Sequence, residues 1–135
     1  MLKKFNFVFI AIVMFVALAG TLKAQSLYFC EEYKEGQEVG LSDVFIISKS
    51  GGYLTVMFKS DEPIGVKEVD LKVYKVTDGV EKIMETHPFD VEPDWDYIHF
   101  DEITFKTAGK YKVTLVTKAG YSIVSGYVKI KYSSD

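Results

Sequence analysis

The densest run of groups able to do chemistry is Asp90-Val91-Glu92-Pro93-Asp94-Trp95-Asp96. On an extended chain, alternate side chains share one side at roughly 6–7 Å spacing. Asp90, Glu92, Asp94 and Asp96 would then present four carboxylates together. Calcium prefers several hard oxygen donors, so this run is a candidate calcium site. The run lacks the glycine and the distal glutamate of an EF-hand loop, and Pro93 interrupts it. Its other reading is a solvated loop before a strand, with aspartates capping the turn and Trp95 covering an edge of the fold.

The remaining reactive groups are sparse. His87 and His99 are the only histidines. A zinc site wants three or four ligands, which these two and Cys30 could complete only if the fold happened to gather them. Ordinary surface or edge histidines are the expectation. No serine stands in a Gly-x-Ser-x-Gly elbow. Ser50-Gly51-Gly52 is a turn and not a phosphate cradle, because no helix follows it. Cys30 is the sole cysteine, so an internal disulfide is excluded. Its apolar neighbours Leu27, Tyr28 and Phe29 point to a small buried hydrophobe. No catalytic residue is assigned and the chain is not read as an enzyme.

The elements that must position these groups begin after a leader. Lys3 and Lys4 precede an uncharged apolar run from Phe7 to Ala19, and Gly20-Thr21-Leu22-Lys23 leads to the small Ala24 before Gln25. This is the layout of a secretory signal peptide over residues 1–24. The apolar run is short for a membrane span, which needs roughly 17–25 residues. A secreted or periplasmic protein is expected, with one domain over residues 25–135 and no membrane insertion once the leader is cut. Three of the 16 basic residues lie in the leader, leaving 13 against 19 acidic ones, a net charge of about −6. Every basic residue is lysine. No run of positive charge stands in the sequence to displace counterions from phosphates, so nucleic acid is not an expected partner.

Past the leader the apolar pattern has period two and is rich in Val, Ile, Thr, Tyr and Phe, as in strands with one buried face. Strands are expected over 26–33, 44–48, 53–59, 69–76, 80–85, 97–105, 111–117 and 121–132. Asp78-Gly79 is a tight hairpin signal, and Lys118-Ala119-Gly120 marks a second. Leu54, Val56 and Phe58 alternate with Thr55, Met57 and Lys59, which places the latter three on a wet face. Ile98 and Phe100 are out of phase with Ile103 and Phe105. Asp101-Glu102 therefore carries a bulge or separates two strands.

The stretch Thr107–Ile130, TAGKYKVTLVTKAGYSIVSGYVKI, resembles the closing half of an immunoglobulin-like sandwich. A glycine, a tyrosine two places later at a strand start, alternating apolar residues and a last hairpin carry the likeness. The resemblance implies an all-β, antiparallel, immunoglobulin-like β-sandwich of about seven or eight strands. It also implies that the Tyr111 hydroxyl bonds back to the preceding corner. Paired cysteines around a tryptophan are absent, so the likeness is to fibronectin-like or bacterial surface modules. The stretch from Tyr28 to Phe45 is similar to the opening of small exported bacterial domains. A sandwich fold by itself implies no activity.

Nine tyrosines, one tryptophan and six phenylalanines remain after the leader, more aromatic rings than a small core needs. Exposed tyrosine on a sheet suits recognition, because a rigid amphipathic ring gives contact area at low entropic cost. The expected function is non-catalytic binding of a protein partner at the cell envelope, through a tyrosine-bearing face or an edge strand. Trp95, Tyr97, Tyr121 and Tyr127 are the candidate contact residues. The alternative is a calcium-dependent ligand or carbohydrate-binding module built on Asp90, Glu92, Asp94 and Asp96.

Overall fold

The computed structural model describes residues 24–134, so the leader expected over residues 1–24 lies outside them except for Ala24. Among the described residues the structure is all-β. Its ten strands are β1 (Gln25–Cys30), β2 (Glu32–Lys34), β3 (Gln37–Val39), β4 (Val44–Ile47), β5 (Gly52–Ser60), β6 (Glu68–Thr77), β7 (Val80–Asp90), β8 (Tyr97–Phe105), β9 (Gly109–Thr117) and β10 (Ser122–Tyr132). They form a three-stranded sheet in the order β1-β5-β8, a five-stranded sheet in the order β4-β10-β9-β6-β7, and a separate hairpin, β2-β3.

Two strands more than expected come mainly from one place. The stretch 26–33 does not run straight: β1 ends at Cys30, and the chain then folds into β2-β3. Glu35 and Gly36 turn that hairpin with φ of 52° and 79°, both left-handed. That pairing suits the twist of a two-residue hairpin loop. Asp78 and Gly79 make the same turn between β6 and β7, at φ 52° and 78°. One pairing also departs from the antiparallel expectation. The short β4 runs parallel to β10, from Val44 opposite Lys129 to Ile47 opposite Tyr132.

Alternation decides which side chains meet. Leu27 and Phe29 of β1, Val56 and Phe58 of β5, and Ile98, Phe100 and Phe105 of β8 turn inward from the three-stranded sheet. Val69, Leu71 and Val73 of β6, Val113 and Leu115 of β9, and Val128 and Ile130 of β10 turn inward from the other, and all belong to one buried cluster. Each fully buried large side chain contributes about 1.5–3 kcal/mol. The phase break in β8 is a bulge within one strand. Leu54 pairs with Ile103 and Val56 with Phe100, so Thr55 alone faces Asp101 and Glu102. Glu102 takes the left-handed φ of 56° that lets both inward pairs reach the core.

Two contacts tie the sheets together. At Gly126 of β10 a Cβ would stand 2.4 Å from the Leu27 carbonyl oxygen of β1, so only glycine admits this approach. At the start of β9 the buried Tyr111 hydroxyl donates to the Thr107 carbonyl at 2.7 Å, the bond back to the preceding corner that the resemblance implies. Its ring meets Phe105 edge-on at 5.0 Å.

Candidate functional site

The acidic run is divided by the fold. Asp90 ends β7, while Glu92 to Asp96 form the connection to β8. The Trp95 amide bonds the Glu92 carbonyl at 3.1 Å, so the chain turns between them and loses the alternation an extended strand would give. Backbone bonds hold the connection in place: Ile64 N–H to the Trp95 carbonyl at 2.7 Å, Gly65 N–H to Pro93 at 2.8 Å, and Ser60 N–H to Asp96 at 2.9 Å. The side chains of Asp90, Glu92, Asp94 and Asp96 are exposed. Among the described residues no group of three or more His, Cys, Asp or Glu side chains is arranged to hold a metal ion. The turn thus takes these four carboxylates off the single side an extended chain would give them, and they stand on an exposed strand end and connection.

The four aromatic candidates fall in separate places. Trp95 is exposed on the β7-β8 connection. Tyr97 opens β8 on the outer side of the three-stranded sheet. Tyr121 lies in the β9-β10 turn and is the most exposed of the four at 74%. Tyr127 stands on the outer side of the five-stranded sheet, with the Lys110 ammonium 5.2 Å from its ring centre. They do not compose one surface.

A cluster that sequence reasoning missed lies beneath the β2-β3 hairpin. Thr55 and Met57, expected on a wet face, are buried at 3% and 0% exposure. Cys30 is fully buried as expected, and its thiol donates weakly to the Glu32 carbonyl at 3.4 Å. The hairpin covers this outer face. Its Glu38 carboxylate accepts from the Tyr28 hydroxyl at 2.5 Å and the Tyr97 hydroxyl at 2.6 Å. Its Tyr33 ring stacks on His99 at 4.2 Å. The Asp101 carboxylate in turn lies 3.0 Å from His99 Nδ1 and accepts from Thr55 at 3.3 Å. Burial first, then the adjacent Glu38 carboxylate, hold the Tyr28 and Tyr97 phenols well above their ordinary range. Burial also pushes the Cys30 thiol up. Phenols and a thiol held protonated are poor nucleophiles. The cluster anchors the hairpin.

The strand edge beside this hairpin is open. Lys129 N–H bonds the Asp43 carbonyl at 2.8 Å and Ser133 N–H bonds that of Ile47 at 2.9 Å. These bonds fix the phase of the parallel ladder: Asp43, Phe45 and Ile47 face β10, and Val44 and Ile46 turn their N–H and C=O groups to the other side. Ser42 closes Val44, accepting from its N–H at 3.0 Å and donating to its carbonyl at 2.8 Å. Among the described residues Ile46 has no such cover, and its side chain is 70% exposed. Beyond it lies an open groove of about 640 Å³, lined by Gly40, Leu41, Ser42, β4 and the first residues of β5. Those β5 residues, Gly52 to Leu54, extend past the last residue of β5 that pairs with β1. The only signal in the sequence is the apolar run Val44-Phe45-Ile46-Ile47; which of its side chains are buried and which edge it leaves free depend on the fold.

No protein-family model matches this chain, and no curated protein matches it in sequence.

Proposed function

We propose that this protein is an exported, non-catalytic binding module of the immunoglobulin-like β-sandwich type. It takes up an extended segment of a protein partner in the periplasm or at the cell surface. Export rests on the leader pattern of residues 1–24. The immunoglobulin-like assignment is supported by sheet order. An opening strand lies in one sheet and a short continuation, β4, lies parallel to the last strand in the other. The bond from Tyr111 to Thr107 is a second support, since such sandwiches carry a tyrosine at this corner.

The observation that carries the binding role is the free edge of β4 at Ile46, facing an open groove. An unpaired strand edge is a template for another strand, and soluble proteins ordinarily blunt it with charge, proline or a covering loop. Here Ser42 blunts only Val44. A partner segment adding at Ile46 gains main-chain hydrogen bonds, and alternate side chains enter the groove beside Leu41 and Tyr53.

Ile46→Pro is the selective test. It removes the edge amide that Ser42 leaves uncovered and keeps the bonds to β10, and proline is tolerated at such edge positions. The tagged protein is used to capture partners from envelope extract, and amide exchange is read at Ile46 in the complex. Capture by the wild type and by Trp95→Ala/Tyr97→Ala, loss with Ile46→Pro, and slowed exchange at Ile46 are expected. Capture undiminished by Ile46→Pro would sink strand addition.

A further inference from the structure

The sequence scatters its lysines, and no run of them stands out. The fold collects them. Val128 and Ile130 point inward, so Tyr127, Lys129 and Lys131 of β10 point outward. On β9 the inward Tyr111 and Val113 leave Lys110 and Lys112 outward. Register completes the array: Lys129 pairs with Lys110, Tyr127 with Lys112, and Thr114 of β9 with Lys72 of β6. Five lysines therefore share the outer face of the five-stranded sheet in a chain whose net charge is negative.

Little on the molecule neutralises them. Lys112 approaches Glu81 at 3.4 Å, and Asp70 at the far end of the face is taken by Lys118 at 2.7 Å. Among the described residues no carboxylate pairs with Lys72, Lys110, Lys129 or Lys131. Like charges directly opposite one another on a sheet are unfavourable, and Lys129 against Lys110 is such a pair. A bound anion relieves that repulsion. Tyr127 stands in the β10 row opposite Lys112, with the Lys110 ammonium 5.2 Å from its ring centre, and a shallow groove of about 440 Å³ runs from it past Lys110 and Lys129 to Val44 and Asp43.

We propose that this face binds a linear acidic polysaccharide, one carrying carboxylate or sulfate groups. The site is long, shallow and flat, which suits an extended polymer better than a compact ligand. Lysines along a strand stand roughly 6–7 Å apart and act as point charges. They match singly charged groups repeating along a chain and offer none of the forked contacts arginine gives to phosphate. Tyr127 supplies a ring face against which a sugar ring packs. This surface is separate from the open edge of β4 and does not depend on strand addition there.

The test is titration of the whole protein with polygalacturonate and with heparin, beside neutral dextran, oligothymidylate and anionic phospholipid vesicles. Binding to an acidic glycan is expected, with affinity falling as salt rises because counterions are released. Lys110→Glu/Lys129→Glu is expected to weaken it at least about tenfold, since each reversal replaces an attraction with a repulsion. Tyr127→Leu keeps the charge and is expected to weaken glycan binding several-fold. A control pair off this face, Lys34→Glu/Lys106→Glu, is expected to change it little. Three outcomes would overturn the proposal. They are no glycan binding at low salt, equal loss in the control pair, or tighter binding to oligothymidylate or vesicles than to either glycan.

Discussion

The two sheets share one core but treat their outer faces in opposite ways. The three-stranded sheet hides its outer face. The β2-β3 hairpin lies over Cys30, Thr55 and Met57, and Glu38 fastens it through two tyrosine hydroxyls. The five-stranded sheet leaves its outer face bare and covers it with lysine and tyrosine. A small domain with no disulfide gains stability by closing a second apolar layer where it can. The face it leaves open is the one whose residue types give little stability and much opportunity for contact. Closed and open faces are thus a division between holding the fold and meeting other molecules, and each half of that division can be tested.

The largest effects should come from what both sheets share. Phe100 is buried against Phe89 of β7, at 4.8 Å between ring centres, and joins the two sheets. Phe100→Ala is expected to cost about 3–5 kcal/mol, read as a fall in the denaturant midpoint at unchanged slope. Gly126→Ala comes next. The added Cβ would collide with the Leu27 carbonyl, and backbone cannot step aside as a flexible side chain can. A loss of about 1–3 kcal/mol is expected. If Gly126→Ala left the midpoint unchanged, the close seam between β1 and β10 would not be a constraint on the fold.

The closed face should answer to Glu38. Glu38→Ala removes the acceptor of one part-buried and one exposed tyrosine hydroxyl and should cost about 0.5–1.5 kcal/mol, with faster amide exchange confined to β2 and β3. The same network sets an alkaline limit. Tyr28 and Tyr97 have folded-state pKa values raised above the unfolded value of about 10. The native state therefore holds its phenolic protons longer than the unfolded state does. That stabilisation is complete below about pH 10 and is lost as pH climbs through the folded values. Wild-type stability should fall above pH 10. Glu38→Gln removes the nearby negative charge, so both phenols should ionise at lower pH, visible as tyrosinate absorbance. An unchanged alkaline titration in Glu38→Gln would separate the phenols from the carboxylate.

The contrast between the faces also marks what could be read from the sequence. Period-two alternation located the strands that build the core, because burial on one side writes itself directly into residue order. Asp78-Gly79 announced its hairpin, and the odd spacing of Ile98, Phe100, Ile103 and Phe105 announced a bulge or a strand boundary, between which the pairing of β5 with β8 decides. The β2-β3 hairpin was not legible. Glu35-Gly36 is a weaker turn signal than Asp-Gly, and three-residue strands give too few positions for a period. Once the hairpin was missed, Thr55 and Met57 had to be read as wet. The carboxylates from Asp90 to Asp96 failed for the converse reason, since proximity in sequence survives only if the chain stays extended, and it turns. The lysine array failed because it is a property of register. Lys72, Lys110 and Lys129 are far apart in the chain and are brought into adjacent rows only by the pairing of β6, β9 and β10.

The smallest stability effect should belong to the open face, and that smallness is itself informative. Lys110 and Lys129 are exposed, and neither has an ion-pair partner among the described residues. Lys110→Glu/Lys129→Glu exchanges one directly opposed like-charge pair for another, so thermal stability should move by no more than about 0.5 kcal/mol. Replacing Lys110 alone with Glu converts the repulsive pair into an attractive one, and a gain of about 0.2–1 kcal/mol is expected. A sheet face that becomes more stable when one lysine is reversed is not arranged for stability. If the single reversal instead destabilised the protein while the double was neutral, Lys110 would owe its place to its contact with the Tyr127 ring, and the open face would belong with the closed one as structure.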